Sequence, residues 1–316
     1  PNTVTSVGQY LVKSCTNLES LTLSNQMTEI PYEMASGCSK LNNVTIPSSV
    51  TTIRAYAFRY CSGLTGIVIP NSVTTMENSV FEYCSALASA TFEDGCQLTA
   101  IPAWTFNRTA LTSFDIPSSV THIYENAFCT TKLASITFPS NVTSLGNGSF
   151  SSISTLTEVT LPATITSMGN SVFANSAVQT ANIFCPNVGI SLFNGCKQLE
   201  TVNFGDGVKT IGTAAFRYCD KLATVNIPAS VTSIGNHAFA NNPVLTTVNF
   251  AEGINLTTLQ DGTFGWNAKL DNFTIPASVT TLQNSVFESC TGMTSLVIPN
   301  TVTSVGQYLV KSCTNL

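Results

Sequence analysis

Residues Leu222 to Leu245 read LATVNIPASVTSIGNHAFANNPVL, and the chain then begins the same phrase again as LTTVNF. Apolar residues fall at Leu222, Val225 and Ile227, then at Val231 and Ile234, then at Phe239, and Pro228 follows the first group directly. Alternation of this kind marks a strand with one buried face. Pro cannot donate to a ladder, so it suits the strand end. The Val-Thr-x-Ile group predicts a second short strand, because β-branched residues fit a pleated surface. The remaining part of the coil, which in another copy is NSVFEYC at Asn78 to Cys84, predicts a helical turn or tight bend that carries one aromatic inward. One coil of a stacked parallel β-solenoid accounts for all of these features.

Counting from the first strand residue, coils begin at Leu18, Leu41, Leu64, Leu87, Leu111, Leu133, Leu156, Val178, Leu199, Leu222, Leu245, Leu270, Met293 and Leu316. Their spacing stays between 21 and 25 residues, which gives 13 coils over a single continuous solenoid, residues 1–316. A periodic array grows by stacking, so the length does not call for two separate cores. Strands about 4.8 Å apart predict a rod roughly 60 Å long. The inward aromatic recurs as Phe58, Phe81, Phe106, Phe128, Phe150, Phe173, Phe193, Phe216, Phe239, Phe264 and Phe287, and reads as core. Around Val178 to Phe193 the phrase departs from its pattern. Pro186 and Gly189 stand where Pro and Val-Thr are expected, which predicts an altered turn.

Residues 1–18, PNTVTSVGQYLVKSCTNL, recur letter for letter as residues 299–316, an offset of 298 residues. The reading that follows is a 298-residue super-repeat that has started over. Neither end shows a polar capping coil and the chain does not open on a leader, so the stretch reads as a window from a longer array with end-to-end continuation. A duplication of one coil to the far end of a finite protein is the alternative.

Charged residues make up 9% of the chain, hydrophobic residues 43%, and the formal net charge is -5. With so few charges, little opposes self-association, lateral association included. No basic stripe is present to neutralise phosphates, which argues against nucleic acid. No apolar run is long enough for a membrane span.

The phrase I-P-x-S-V-T-x-I-G-x-x-A-F-x-x-C-x-x-L-x-x-V-x-I-P, seen at Ile46 to Pro70 and Ile275 to Pro299, closely resembles the BspA-like class of leucine-rich repeats. The resemblance covers the whole chain. It implies a leucine-rich repeat solenoid, β-rich with α/β coils, here with uncapped ends. It also implies an extracellular or cell-surface protein, of a kind associated with adhesion to host or matrix proteins. It transfers no binding residue.

Candidate chemistry is sparse, and no cofactor or metal is expected. His122 and His237 lie five coils apart, and no nucleophile elbow, zinc-binding or phosphate-cradling motif appears, so the chain reads as non-enzymatic. Acidic turns at Glu93-Asp94-Gly95, Gly205-Asp206-Gly207 and Ala251-Glu252-Gly253 replace the strand-ending Pro; they are not on adjacent coils, as a calcium-binding β-helix would need. Cys15, Cys38, Cys61, Cys84, Cys196, Cys219, Cys290 and Cys313 share one coil position, three before the strand Leu. Neighbouring rungs are close enough for disulfides. The same position holds Asn175, Asn242 or Asn267 in other coils, which points instead to a ladder of small turn-satisfying groups.

The outward strand face is the candidate interaction face: Thr22, Thr45, Thr91, Thr137, Thr160, Asn182, Asn203, Asn226, Asn249 and Thr274, with Val68, Asp115 and Val297 in the same column. Such a flat hydroxyl and amide surface suits another rod, a matrix protein or a glycan. Stacked Thr and Asn also bond along a ladder for purely structural reasons. Six N-x-[ST] sequons, at Asn43, Asn107, Asn141, Asn147, Asn255 and Asn272, are possible glycosylation sites in a secreted chain. The functional expectation is a segment of a long tandem-repeat fibre or stalk. Its alternatives are a finite adhesin acting through the strand face and an intracellular interaction scaffold.

Overall fold

The computed structural model describes residues 2–316; Pro1, the first residue of the duplicated phrase, lies outside the described residues. Contacts divide the chain into two units, Pro1–Leu156 and Thr157–Leu316. In the first, one side of the coils carries β1 (Ser20–Thr22), β3 (Asn43–Thr45), β5 (Gly66–Ile69) and β7 (Ser89–Phe92). A second side carries β2 (Glu29–Ile30), β4 (Thr52–Ile53), β6 (Thr75–Met76), β8 (Ala100–Ile101), β9 (His122–Ile123) and β10 (Ser144–Leu145). The second unit repeats the plan. Its first side has β11 (Glu158–Leu161), β13 (Thr180–Ile183), β15 (Thr201–Phe204), β17 (Thr224–Ile227) and β19 (Thr247–Phe250). Its second side has β12 (Ser167–Met168), β14 (Asn187–Val188), β16 (Thr210–Ile211), β18 (Ser233–Ile234), β20 (Thr258–Leu259), β21 (Thr281–Leu282) and β22 (Ser304–Val305).

Pairing between successive coils is parallel and in register, as in Thr160↔Asn182↔Asn203 across β11, β13 and β15 and Thr52↔Thr75 across β4 and β6. The strand-end Pro does more than stop the ladder. Its carbonyl accepts the N–H of the Val three residues on, as in Pro228 and Val231 at 3.1 Å, which closes the turn between the two sides. The acidic turns make the same bond without Pro: Cys96 to Glu93 at 3.2 Å, Val208 to Gly205 at 3.2 Å and Ile254 to Ala251 at 3.3 Å. In the divergent coil, Cys185 and Pro186 form a bend and β14 starts directly after it. The Pro186 carbonyl accepts Lys209 N–H at 2.8 Å, so the ladder continues despite the missing turn.

The third side corrects the α/β expectation. Among the described residues it contains turns and no helix. In the coil of Phe58, the N–H groups of Tyr56, Phe58 and Tyr60 donate to Asn78, Val80 and Glu82 of the following coil, at 2.9 to 3.2 Å. Bonds from Arg59 to Tyr56 and from Cys61 to Phe58 close two overlapping turns. Tyr56 and Tyr60, two residues to either side of Phe58, both have φ of 60°. Left-handed residues at these two positions recur from coil to coil, among them Ser79 and Tyr83, Trp104 and Arg108, and His237 and Asn241. Each is strained by on the order of 1 kcal/mol for a residue with a Cβ. A continuous α-helix could not aim every second N–H along the stack; alternating handedness does, and the ladder it gains holds the strain.

The core lies between the three sides. All eleven column Phe residues are fully buried, and within each unit they stack at 5.1 to 6.2 Å between ring centroids. Small residues are required where one coil crosses the last: a Cβ on Gly235 would lie 2.5 Å from the Thr213 nitrogen.

Candidate interaction face

The ten residues of the expected strand-face column point away from the core, and all but the half-buried Asn182 are exposed. In the second unit they bond to each other. The Asn182 amide donates to Thr160 at 3.3 Å and to Glu158 at 3.0 Å, Asn203 donates to Asn182 at 2.8 Å, and Asn249 donates to Asn226 at 2.8 Å. Much of this amide surface is thereby turned along the stack. The Thr row after the Val of the second side behaves likewise, with hydroxyls of Thr51, Thr74, Thr121, Thr232, Thr280 and Thr303 donating to a carbonyl of the preceding coil at 3.1 to 3.4 Å. Thr is therefore a ladder residue in that row.

Five sequons are exposed, at Asn43, Asn141, Asn147, Asn255 and Asn272. Asn107 is a correction. It is buried, and its amide donates to Glu82 at 3.2 Å, so the folded chain offers no glycan acceptor there.

All eleven cysteines are free thiols. The buried rungs of the shared column aim their Sγ at a backbone carbonyl, as Cys61 at Ala35 (3.2 Å), Cys84 at Phe58 (3.1 Å), Cys196 at Phe173 (3.1 Å) and Cys290 at Phe264 (3.2 Å). Where Asn replaces Cys the carbonyls are still met. Asn267 donates to Phe239 at 2.9 Å and Phe264 at 2.8 Å while accepting the Asn242 N–H at 2.8 Å. Asn175 does not belong to this column. It is exposed, and in the shortened coil Ser176 takes the buried place. Burial pushes the thiols of Cys61, Cys185, Cys196 and Cys290 up to about 12, which leaves them protonated and unreactive at neutral pH.

His122 sits on the outer face of β9 against Thr121. His237 occupies a left-handed turn position stacked on Trp266 at 5.8 Å, where burial and then Arg217 hold its imidazole below the usual range. Among the described residues no group of three or more His, Cys, Asp or Glu is placed to hold a metal ion.

Two features escape a reading by columns. One is an aromatic and guanidinium cluster on the turn side: Tyr60 stacks on Tyr83 at 4.7 Å, and Arg59 lies over Tyr60 at 4.6 Å while its Nε meets Glu82 at 2.7 Å. The Arg-Tyr-Cys triplets at 59–61 and 217–219 are its sequence signal. The other is a set of clefts on the strand side, two of which follow an acidic turn. One of about 770 Å³ lies between β19 and residues 271–278, and one of about 380 Å³ lies between β7 and residues 113–118. Their signal is Phe114 and Phe273, the two Phe residues at the strand position that elsewhere holds Val, Ile, Ala or Leu.

The profile of the BspA type leucine rich repeat region matches in six copies over residues 1–98, 87–190 and 186–316. The chain belongs to that family. This BspA-type protein is similar in fold to a leucine-rich repeat protein from Bacteroides ovatus, with 23% identity, 92% of this chain and 78% of the other covered, and a TM-score of 0.68. It is also similar to a leucine rich cell surface protein from Faecalibacterium prausnitzii, with 28% identity, 99% and 82% coverage, and a TM-score of 0.55. A third likeness is to a leucine-rich repeat protein from Eubacterium ventriosum, with 21% identity, 98% and 80% coverage, and a TM-score of 0.51. No curated protein matches this chain significantly. No helix of the BspA-type chain is long and apolar enough to cross a membrane, among the described residues.

Proposed function

We infer that this chain is a non-enzymatic structural protein of a cell surface, a segment of a tandem-repeat fibre or stalk whose 298-residue periods join through the phrase of residues 1–18. The observation that carries this reading is how the two copies of the phrase are bonded. In the first copy, the N–H groups of Val12 and Ser14 donate to Met34 (2.9 Å) and Ser36 (2.7 Å) of the following coil, the Val12 carbonyl accepts from Cys38 Sγ (3.0 Å), and Lys13 pairs with Glu33. In the second copy, the carbonyls of Gln307, Leu309 and Lys311 accept from Ser285, Phe287 and Ser289 of the preceding coil at 2.8 to 2.9 Å, and Lys311 pairs with Glu288 at 3.3 Å.

Apart from the Lys ammonium, the two sets of bonds use different atoms of one phrase. A coil placed between residue 298 and residue 19 of the next period would satisfy both sets at once, with its single Lys, which has three donors, facing both carboxylates. The likeness to a cell-surface protein supports the location. Electron microscopy of the native material tests the reading. Filaments with an axial repeat of 13 coils are expected; discrete particles of one period would replace the fibre by a finite adhesin that acts through its strand face.

A further inference from the structure

The clefts beside β7 and β19 are copies of one device. Before each, a strand ends on Phe (Phe92, Phe250) and an acidic Gly turn follows in a lengthened coil, 24 residues from Leu87 to Leu111 and 25 from Leu245 to Leu270. After each, Phe114 or Phe273 drives into the core. Phe114 lies 5.1, 4.8 and 5.9 Å from Phe106, Phe128 and Phe92. Phe273 lies 4.9, 4.7 and 5.8 Å from Phe264, Phe287 and Phe250. The third acidic turn, Gly205-Asp206-Gly207, is followed by Val225 instead of a wedge.

The coil behind each wedge is tied forward. Asp271 accepts from the Thr294 N–H at 2.9 Å and hydroxyl at 3.0 Å, and Thr274 bridges to Val297. Leu111 and Thr112 accept from Lys132 and Ala134, at 2.9 and 3.1 Å. On this side β19 ends the two-stranded sheet β17-β19 and β7 ends the sheet β5-β7, each an edge strand along a cleft. An edge strand presents a row of main-chain donors and acceptors that another extended chain can match. The cleft beside β7 carries Glu93, Asp94 and Asp115 and no Lys or Arg; that beside β19 carries Glu252 and Asp271 against Lys269.

We propose that each cleft binds an extended basic peptide segment of a partner protein, its main chain running along the edge strand and its Lys or Arg side chains meeting the acidic walls. Five residues opposite Thr246 to Phe250 would span about 16 Å. The cleft beside β19 is the principal site and lies in the size range of sites that enclose a small ligand.

The probe is a fluorescein-labelled heptapeptide, Thr-Lys-Val-Lys-Val-Lys-Thr, titrated against the full chain, with its Lys-to-Glu counterpart as comparison and amide hydrogen exchange as a map. Expected are saturable binding that weakens with salt, at least tenfold preference over the Glu peptide, and protection confined to residues 246–252 and 89–95. Phe273→Val gives its cleft the residue that closed coils use; binding there should fall at least tenfold while the second cleft still binds. Should Phe273→Val fail to fold, Glu252→Gln should weaken binding to that cleft severalfold. Equal binding of the two peptides, protection elsewhere, no binding at millimolar peptide, or affinity indifferent to both variants would overturn the proposal.

Discussion

Within the second unit, the stretch from β11 to β15 and the seam behind β19 start from the same coil phrase and end differently. Across β11, β13 and β15 the inward residues are Val159, Ala181 and Val202, the strands pair at every position, and Glu158, Thr160, Asn182 and Asn203 bond along the outer face. Behind β19 the inward residue is Phe273, pairing with β19 stops, and a cleft of about 770 Å³ stands open. A ring in place of a branched methyl pair holds the coil off its predecessor by packing against Phe264 and Phe287. A wedge is one way to part neighbouring strands and not the sole one, because the ladder also stops between β3 and β5 and between β15 and β17, where the inward residues are Val44, Ile67, Val202 and Val225.

The largest expected contrast comes from truncating a ring on each side of that comparison. Phe193→Ala, in the closed stack, should lower stability by about 3 to 5 kcal/mol, because rigid neighbouring coils cannot fill the hole. Phe273→Val should lower it by no more than about 2 kcal/mol, since the seam can close and gain ladder bonds. Urea unfolding midpoints measure both. Equal losses would show that the wedge is ordinary core.

Next in size is Asn267, whose amide serves three buried backbone groups beside the seam. Asn267→Ala should cost about 1 to 3 kcal/mol, chiefly by leaving the Asn242 N–H unpaired, since the Phe239 and Phe264 carbonyls still accept from Asn242 and Cys290. Asn267→Cys, which restores the donor that other coils use, should recover part of that by the same urea assay.

A thiol in the closed stack gives a pH test. The folded value of Cys196, about 12, lies above the ordinary 9.0, so the native state keeps a proton that the unfolded chain releases. Stability from that burial is fully present below pH 9 and is lost as pH rises toward 12. The advantage of the wild type over Cys196→Ala should therefore shrink by about 1 kcal/mol between pH 9 and 10. Thermal melts at the two pH values read it, and an advantage that grows with pH would contradict the burial.

The smallest effect is expected on the outer face. Asn203→Ala removes one exposed amide bond of the ladder and should change stability by about 0.5 kcal/mol or less. A larger loss would make the closed face a structural ladder in its own right.

The sequence alone determined the period, the parallel stacking, the burial of every column Phe, and the equivalence of Cys with Asn242 and Asn267. These follow from repetition, because identical coils bury identical positions against each other. It did not determine the third side, where the pattern of one aromatic between small and polar residues fits a helical turn as well as paired left-handed turns. The choice fell to hydrogen bonds with the next coil. Nor could it place Asn107 or Asn175: in both coils the stretch from the column Phe to the next strand residue is shorter (Phe106 to Leu111, Phe173 to Val178) than the usual one (Phe81 to Leu87), which shifts the side chains between them. Phe114 and Phe273 were plain to read as apolar residues at an apolar position. Only the tertiary structure decided that they lodge among the core rings behind an open strand face, because whether a ring fits or wedges depends on the rings it meets in the neighbouring coils.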